Sequence, residues 1–161
     1  CRRSLCAAGQ TRNVMMKTPQ QAAASPLRQD IFPLDAKPWP DRYTYVPAVR
    51  VGNMLWISGT TGSDENGLIT APGDIVEQTR EIFRKFDRLL RAAGGSCDDI
   101  VQTVDYYTTT ENYTKTAAVR REFFRTARPT STGVQVVGLL RKDALIEISA
   151  VAVLGSAAAQ A

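Results

Sequence analysis

The sequence has 161 residues, of which 43% are hydrophobic, and this length and composition predict a single globular domain with an ordinary core. It contains no histidine, which excludes histidine-ligated zinc, a Ser-His-Asp triad and a histidine general base. The net charge is +4, but residues 1–28 hold five basic residues and no acid, so the remainder carries 15 basic and 16 acidic residues. Residues 29–161 therefore carry almost no net charge, which gives little support to nucleic-acid binding.

The three cysteines, Cys1, Cys6 and Cys97, show no dense spacing pattern, which argues against a disulfide framework and for a reducing compartment. We therefore expect a cytoplasmic protein. No apolar run approaches the roughly 18 residues that a membrane span requires, so no membrane partner is expected. No cofactor motif or metal-ligand cluster is present, and we predict neither a cofactor nor a metal site.

The first 42 residues contain no periodic pattern. Residues 1–28 are predicted to be a disordered or non-native tail. They are either an upstream extension, with the native start at Met15 or Met16, or a basic organelle-targeting segment, and we favour the extension. Residues 29–42 are predicted to form an extended arm, since their prolines oppose a helix.

The rest of the chain, residues 43–156, carries strand and helix patterns, and residues 157–161 are a short tail. Gly52 and Asn53 indicate a tight hairpin turn, Asp74 is a suitable helix N-cap, and Gly94 a suitable stop. The patterns predict strands over residues 43–51, 54–59, 100–109, 130–137 and 144–154, and helices over residues 74–93 and 111–126.

The last predicted strand places one carboxylate, Glu147, among apolar residues. Strand alternation puts Ile146, Ile148, Ala150 and Ala152 on one face and Glu147 on the other with further apolar residues. Both faces need cover, and two helices supply only one layer. We expect another subunit to cover the second face.

Six short motifs occur in a fixed order along the chain, namely Val51-Gly52-Asn53-Met54, Ser58-Gly59, Ala92-Ala93-Gly94, Asp99-Ile100-Val101, Glu122-Phe123-Phe124 and Ile146-Glu147-Ile148. With these motifs, residues 45–154 resemble the Rid family (YjgF, reactive-intermediate imine deaminases). The resemblance implies an α+β, chorismate-mutase-like fold, with a mixed sheet that carries two helices on one face and closes into a trimeric barrel. It further implies ligand sites at the three subunit clefts.

The resemblance assigns Glu147 to the water that attacks the imine, whereas spacing alone favours an interface salt bridge or a solvated strand end. The family's carboxylate-gripping arginine falls at Ser131. A serine hydroxyl donates one neutral hydrogen bond and cannot form the bidentate pair of a guanidinium. We therefore place the chain in an arginine-lacking subgroup. Ala117 and Gly133 depart from the family pattern as well.

The remaining candidate residues are assigned as follows. Tyr45 is expected to wall the pocket, although a buried aromatic residue with a satisfied hydroxyl is the plainer interpretation. Trp56 either narrows the pocket or packs a subunit contact. We predict Glu147, Ser131 and Tyr45 as catalytic residues and Ser58, Gly59, Thr132, Gly133 and Trp56 as substrate-binding residues.

The predicted function is that of a small-molecule hydrolase, deaminase or tautomerase that acts on an enamine, an imine or a related unsaturated carbonyl compound. Because the arginine is missing, the recognised group of the substrate is expected to be neutral or bound elsewhere. The alternative is a non-catalytic trimer that binds a metabolite or a partner protein. Turnover distinguishes the two.

Overall fold

Six strands and two helices form the architecture of the computed structural model, which describes residues 27–35 and 37–157. The tail predictions for residues 1–26 and 158–161 lie outside the described residues. The elements are β1 (Arg28–Ile31), β2 (Ala48–Val51), β3 (Met54–Thr61), α1 (Ile75–Ala92), β4 (Ile100–Tyr107), α2 (Thr116–Phe123), β5 (Thr130–Gln135) and β6 (Ile146–Val153). They form one sheet in the order β1-β2-β3-β6-β4-β5, with β4 and β5 parallel and the other neighbours antiparallel. The predicted α+β class with a mixed sheet is confirmed.

The first strand, β1, is not predicted, because its four residues carry no clear alternation. It pairs with β2 from Arg28 opposite Val51 to Ile31 opposite Ala48. The arm that follows is held by two ion pairs, Arg88 to Asp35 at 2.7 Å and Lys37 to Glu65 at 2.8 Å. The arm therefore continues an edge strand and packs back onto the domain. The rings of Phe32, Trp39, Tyr43 and Tyr45 form a contiguous aromatic cluster.

Helix α1 begins and ends where the sequence predicts. The Asp74 carboxylate accepts hydrogen bonds from the backbone N–H groups of Val76 at 2.9 Å and Glu77 at 3.1 Å. Gly94 follows the helix with a φ of +83°, a left-handed conformation that glycine adopts without strain. The apolar stripe of α1 is fully buried, and each such large side chain contributes roughly 1.5–3 kcal/mol.

The second helix is shorter than predicted. Residues 113–115 form a separate 3₁₀ turn, and α2 begins only at Thr116. Asn112 has a φ of +58°, which interrupts a helix that would otherwise start at Glu111. Thr116 and Val119 are the buried residues of α2, whereas Ala117 is exposed.

The two faces of the sheet differ in cover. On the helix face, Ile146, Ile148, Ala150 and Ala152 are buried beneath the helices. The opposite face, which we call the open face, carries Glu147, and the alternation predicted for β6 is confirmed. Large apolar side chains of the open face remain 37–41% exposed, namely those of Met54, Trp56, Tyr106 and Val134.

Candidate functional site

The Glu147 carboxylate lies directly against Gly59. The pairing of β3 with β6 shifts between Ile57 and Thr60, so that a bulge in β3 faces β6 beside Glu147. A β-carbon placed on Gly59 would lie 2.4 Å from Glu147 Oε1 and 3.3 Å from Cδ. Glycine at this point of the bulge therefore lets the carboxylate occupy its position, and a side chain there would displace it.

The same carboxylate has free hydrogen-bonding capacity. Glu147 is half-buried, and within residues 27–35 and 37–157 no hydrogen bond or ion pair engages its side chain. A carboxylate accepts up to four hydrogen bonds, so the Glu147 side chain can accept hydrogen bonds from a ligand or water that reaches the open face. This is the arrangement that a general base requires.

Ser58 and Tyr45 are linked through the segment before β2. The Ser58 N–H donates to Pro47 O at 2.9 Å, and the Ser58 hydroxyl donates to Val46 O at 2.7 Å. The hydroxyl proton is therefore committed to the backbone, and Ser58 offers a ligand only its lone pairs. The Tyr45 side chain is 48% exposed and borders two open clefts of about 400 and 690 Å³.

Trp56 and Thr132 share the open face with Glu147. Trp56 pairs with Val151, two strand positions along the same face from Ser149. Thr132 pairs with Val104, which itself lies opposite Ser149. Directly opposed residues project to one face, so both predicted substrate-binding side chains stand on the side of the catalytic candidate.

Ser131 and Gly133 lie on the other side of the sheet. Ser131 pairs with Thr103, and Thr103 pairs with the buried Ala150 of the helix face. The Thr103 and Ser131 hydroxyl oxygens are 3.3 Å apart and hydrogen-bonded. One chain therefore does not bring Ser131 together with Glu147, because the sheet itself separates them. A single substrate can contact both only where two copies face each other.

A buried polar group on the helix face was missed by the sequence reasoning. Asp105 is fully buried, and its Oδ2 accepts hydrogen bonds from the Arg120 guanidinium and, at 2.8 Å, from the Tyr113 hydroxyl. Burial and the bond to Asp105 raise the pKa of Tyr113 above its usual value. The sequence signal for this group is a single acidic residue within a strand. Asp105 is that residue in β4, as Glu147 is in β6.

Two further ionisable side chains have altered acidity. The Lys85 ammonium donates to Thr61 O at 2.8 Å and to Ser63 Oγ at 3.1 Å, and burial lowers its pKa to about 8. Burial raises the pKa of the Cys97 thiol to about 12, which opposes the thiolate that a nucleophile needs.

The part of the chain that the structure describes contains no cluster of three His, Cys, Asp or Glu residues able to hold a metal ion. In the same part, no helix is long and apolar enough to cross a bilayer.

Comparison with known proteins identifies similar chains. The model of the family described as Endoribonuclease L-PSP matches residues 39–154. The chain is 37% identical over 108 residues to the 3-aminoacrylate deaminase RutC of Acinetobacter baylyi, which covers 67% of this chain and 85% of the relative. A RutC family protein of Pyrococcus horikoshii is 34% identical over 108 residues, with the same coverage of 67% and 85%. Among solved structures, the conserved Rid family protein YyfA from Yersinia pestis, of unknown function, has a TM-score of 0.69 at 26% identity and covers 79% of this chain and 99% of its own.

Proposed function

Since the chain belongs to the Rid (YjgF) family, whose model bears the description Endoribonuclease L-PSP, we propose that it is a deaminase that hydrolyses a small imine or enamine. The supporting observation is the Glu147 carboxylate, which lies against Gly59 with its acceptors free. The similarity to a 3-aminoacrylate deaminase supports the same class of substrate.

In the proposed reaction, Glu147 orients a water molecule and takes one of its protons. The water oxygen bonds to the imine carbon while the imine nitrogen takes a proton from bulk solvent, which gives a carbinolamine. Glu147 then returns its proton to the nitrogen, the C–N bond breaks to release ammonia, and the hydroxyl proton returns to bulk solvent as the carbonyl forms. The products are one carbonyl compound and one ammonia for each imine and water consumed. An enamine enters after protonation at its carbon.

The site is proposed to be complete only in an assembly of several copies. Glu147 and Ser131 lie on opposite faces of one sheet. The open face also exposes large apolar side chains, which another copy of the chain would bury. If the open face of one copy meets the edge of the next copy near Ser131, each contact joins two different surfaces. Three such contacts close a ring, which is the homotrimer with three clefts that we propose.

An assay of the purified protein against 3-aminoacrylate and a panel of 2-imino acids, with ammonia release as the readout, tests this proposal. Glu147→Gln keeps the size of the side chain and removes the base, so we expect a loss of about 10²–10⁴-fold in kcat. Glu111→Gln, at an exposed glutamate, is the matched control. Turnover no faster than in buffer by the wild type, or full activity of Glu147→Gln, would refute the proposal.

The second candidate is a trimer that binds a metabolite or partner without turnover. It is favoured by Ser131, which cannot form the guanidinium pair expected at that position. It predicts that a small ligand raises the melting temperature while no ammonia is released. The expectations of a cytoplasmic location and of no nucleic-acid partner stay predictions.

A further inference from the structure

The two strands that carry the candidate site are irregularly paired beside the carboxylate. The pairing of β3 with β6 shifts between Ile57 and Thr60. Just beyond this bulge, Thr61 of β3 lies directly opposite Glu147 of β6. A bulge disrupts the ladder of hydrogen bonds, so the two strands are less firmly coupled at this point. The position of Glu147 relative to Gly59 therefore depends on contacts from outside the ladder.

Helix α1 makes such a contact with the start of β6 through Gln78. This side chain is fully buried, and its amide nitrogen donates to Ala71 O at 2.9 Å and to Asp143 O at 3.1 Å. Its Oε1 accepts a hydrogen bond from the Leu145 N–H at 2.8 Å. Both amide donors and one acceptor site are therefore used. Leu145 lies two residues before Glu147, so Gln78 fixes the point at which the chain enters β6.

The same helix contacts the end of β3 through Lys85. The Lys85 ammonium donates to the backbone oxygen of Thr61 at 2.8 Å and to Ser63 Oγ at 3.1 Å. The chain after β3 also packs closely on the helix, because a β-carbon on Gly62 would lie 2.7 Å from Cα of Gln78. Glycine at position 62 therefore lets this backbone approach α1 directly.

One helix thus holds both strands on either side of the pair formed by Thr61 and Glu147. We call Gln78 and Lys85 together the α1 brace. They are seven positions apart, about two helical turns, so they project from the same side of α1. Fully used hydrogen bonds in a buried setting make such contacts rigid. The brace therefore supplies the support that the bulged ladder lacks.

We infer that Gln78 and Lys85 are positioning residues, which set where the Glu147 carboxylate lies against Gly59. The inference rests on the proposed function for its effect on catalysis, in which Glu147 acts on water. A base that is displaced by about 1 Å loses on the order of 100-fold in rate, so loosening either strand should lower kcat. Both side chains come from the helix that covers the opposite face of the sheet, so KM should change far less.

Gln78→Met and Lys85→Met test the two contacts separately. Methionine keeps approximately the length of each side chain and removes its hydrogen bonds. Gln78→Met leaves buried backbone groups without partners, which is destabilising, so Lys85→Met at a half-buried site serves as the second variant. Thr79→Val is the matched control. Thr79 is fully buried on α1, but its hydroxyl donates to Ile75 O within the same helix, at 2.7 Å.

Two readouts are measured on each folded variant. The amide resonance of Gly59 in isotope-labelled protein reports the nearby carboxylate without any turnover, and Glu147→Gln calibrates its shift. We expect this resonance to move in Gln78→Met and Lys85→Met and to stay in place in Thr79→Val. Ammonia release should show a fall in kcat of roughly tenfold or more in both brace variants, with KM within about twofold. Adding Glu147→Gln to either brace variant should cause no further loss.

The outcomes separate this inference from the proposed function. An unmoved Gly59 resonance in the folded brace variants, or a loss of kcat that adds in full to that of Glu147→Gln, overturns the inference. If Gln78→Met does not fold, Lys85→Met alone decides. A moved resonance with no ammonia released by the wild type leaves the brace standing as the support of the carboxylate and refutes the deaminase. Turnover that both brace variants retain in full supports the deaminase and overturns the role of the brace.

Discussion

Gly59→Ala is the substitution that most sharply tests the position of the catalytic carboxylate. The new methyl carbon would lie 2.4 Å from Glu147 Oε1, against an ordinary contact of roughly 3.4 Å or more. The carboxylate is the free end of a flexible side chain, so it moves by about 1 Å rather than the backbone. A displacement of this size costs about 100-fold in rate, or roughly 2.7 kcal/mol in the activation barrier.

Stability should change little in the same variant, because alanine is favoured over glycine in a strand by about 0.5–1 kcal/mol, which offsets the strain. Ammonia release and thermal unfolding are measured together, with Gly138→Ala as the control, since a β-carbon at Gly138 meets no atom within 4 Å. The decisive comparison adds Gly59→Ala to Glu147→Gln. If the glycine acts through the carboxylate, the double variant is no worse than Glu147→Gln alone, whereas additive losses would refute this reasoning.

Three further predictions follow from particular contacts. Asp74→Ala removes two N-cap hydrogen bonds and should lower the free energy of unfolding by about 1 kcal/mol, or the melting temperature by about 3 °C. An unchanged Tm would contradict the stabilising role of Asp74 as the N-cap. Burial raises the pKa of Cys97 to about 12, so its thiol should resist iodoacetamide at pH 8 until the protein unfolds. Labelling is measured by peptide mass spectrometry, and labelling at the rate of a free thiol would contradict the burial of Cys97. Burial lowers the pKa of Lys85 to about 8 in the folded protein, against 10.5 in the unfolded chain. Between these two pH values the unfolded chain binds more protons on this amine than the folded protein does, so the free energy of unfolding rises with pH through that window. Denaturant titrations should therefore show the wild type gaining stability over Lys85→Met from pH 7 to 10, and parallel curves would contradict the shift.

The elements that sequence predicts well are those with long periodic patterns or explicit caps. Helix α1 follows from its apolar stripe and from Asp74, and the alternation of β6 identifies the face of Glu147. The start of α2 could not be predicted, because it depends on the left-handed conformation of Asn112. Strand β1 carries too few residues for a pattern, and it is defined by its pairing with β2.

Half of the candidate site could be predicted and half could not. Residues 58 and 59 follow from their motif, and the structure places Gly59 against Glu147. The face of Ser131 could not be inferred, because it depends on the register in which β5 pairs with β4. Arg120 and Asp105 are distant in sequence, and only the packing of α2 on β4 brings them together.

The division of the site between two copies is the central claim, and subunit mixing tests it most directly. Glu147→Gln lacks the base on the open face, and Ser131→Trp places a bulky side chain at the exposed position 131 on the helix face. The two proteins are unfolded, mixed in equal amounts and refolded together, and ammonia release is measured with an imine that the wild type hydrolyses. If each cleft joins two copies, about a quarter of the clefts regain both intact halves, and activity should return to about a quarter of that of the wild type. Activity that stays at the average of the two separate variants would contradict the claim.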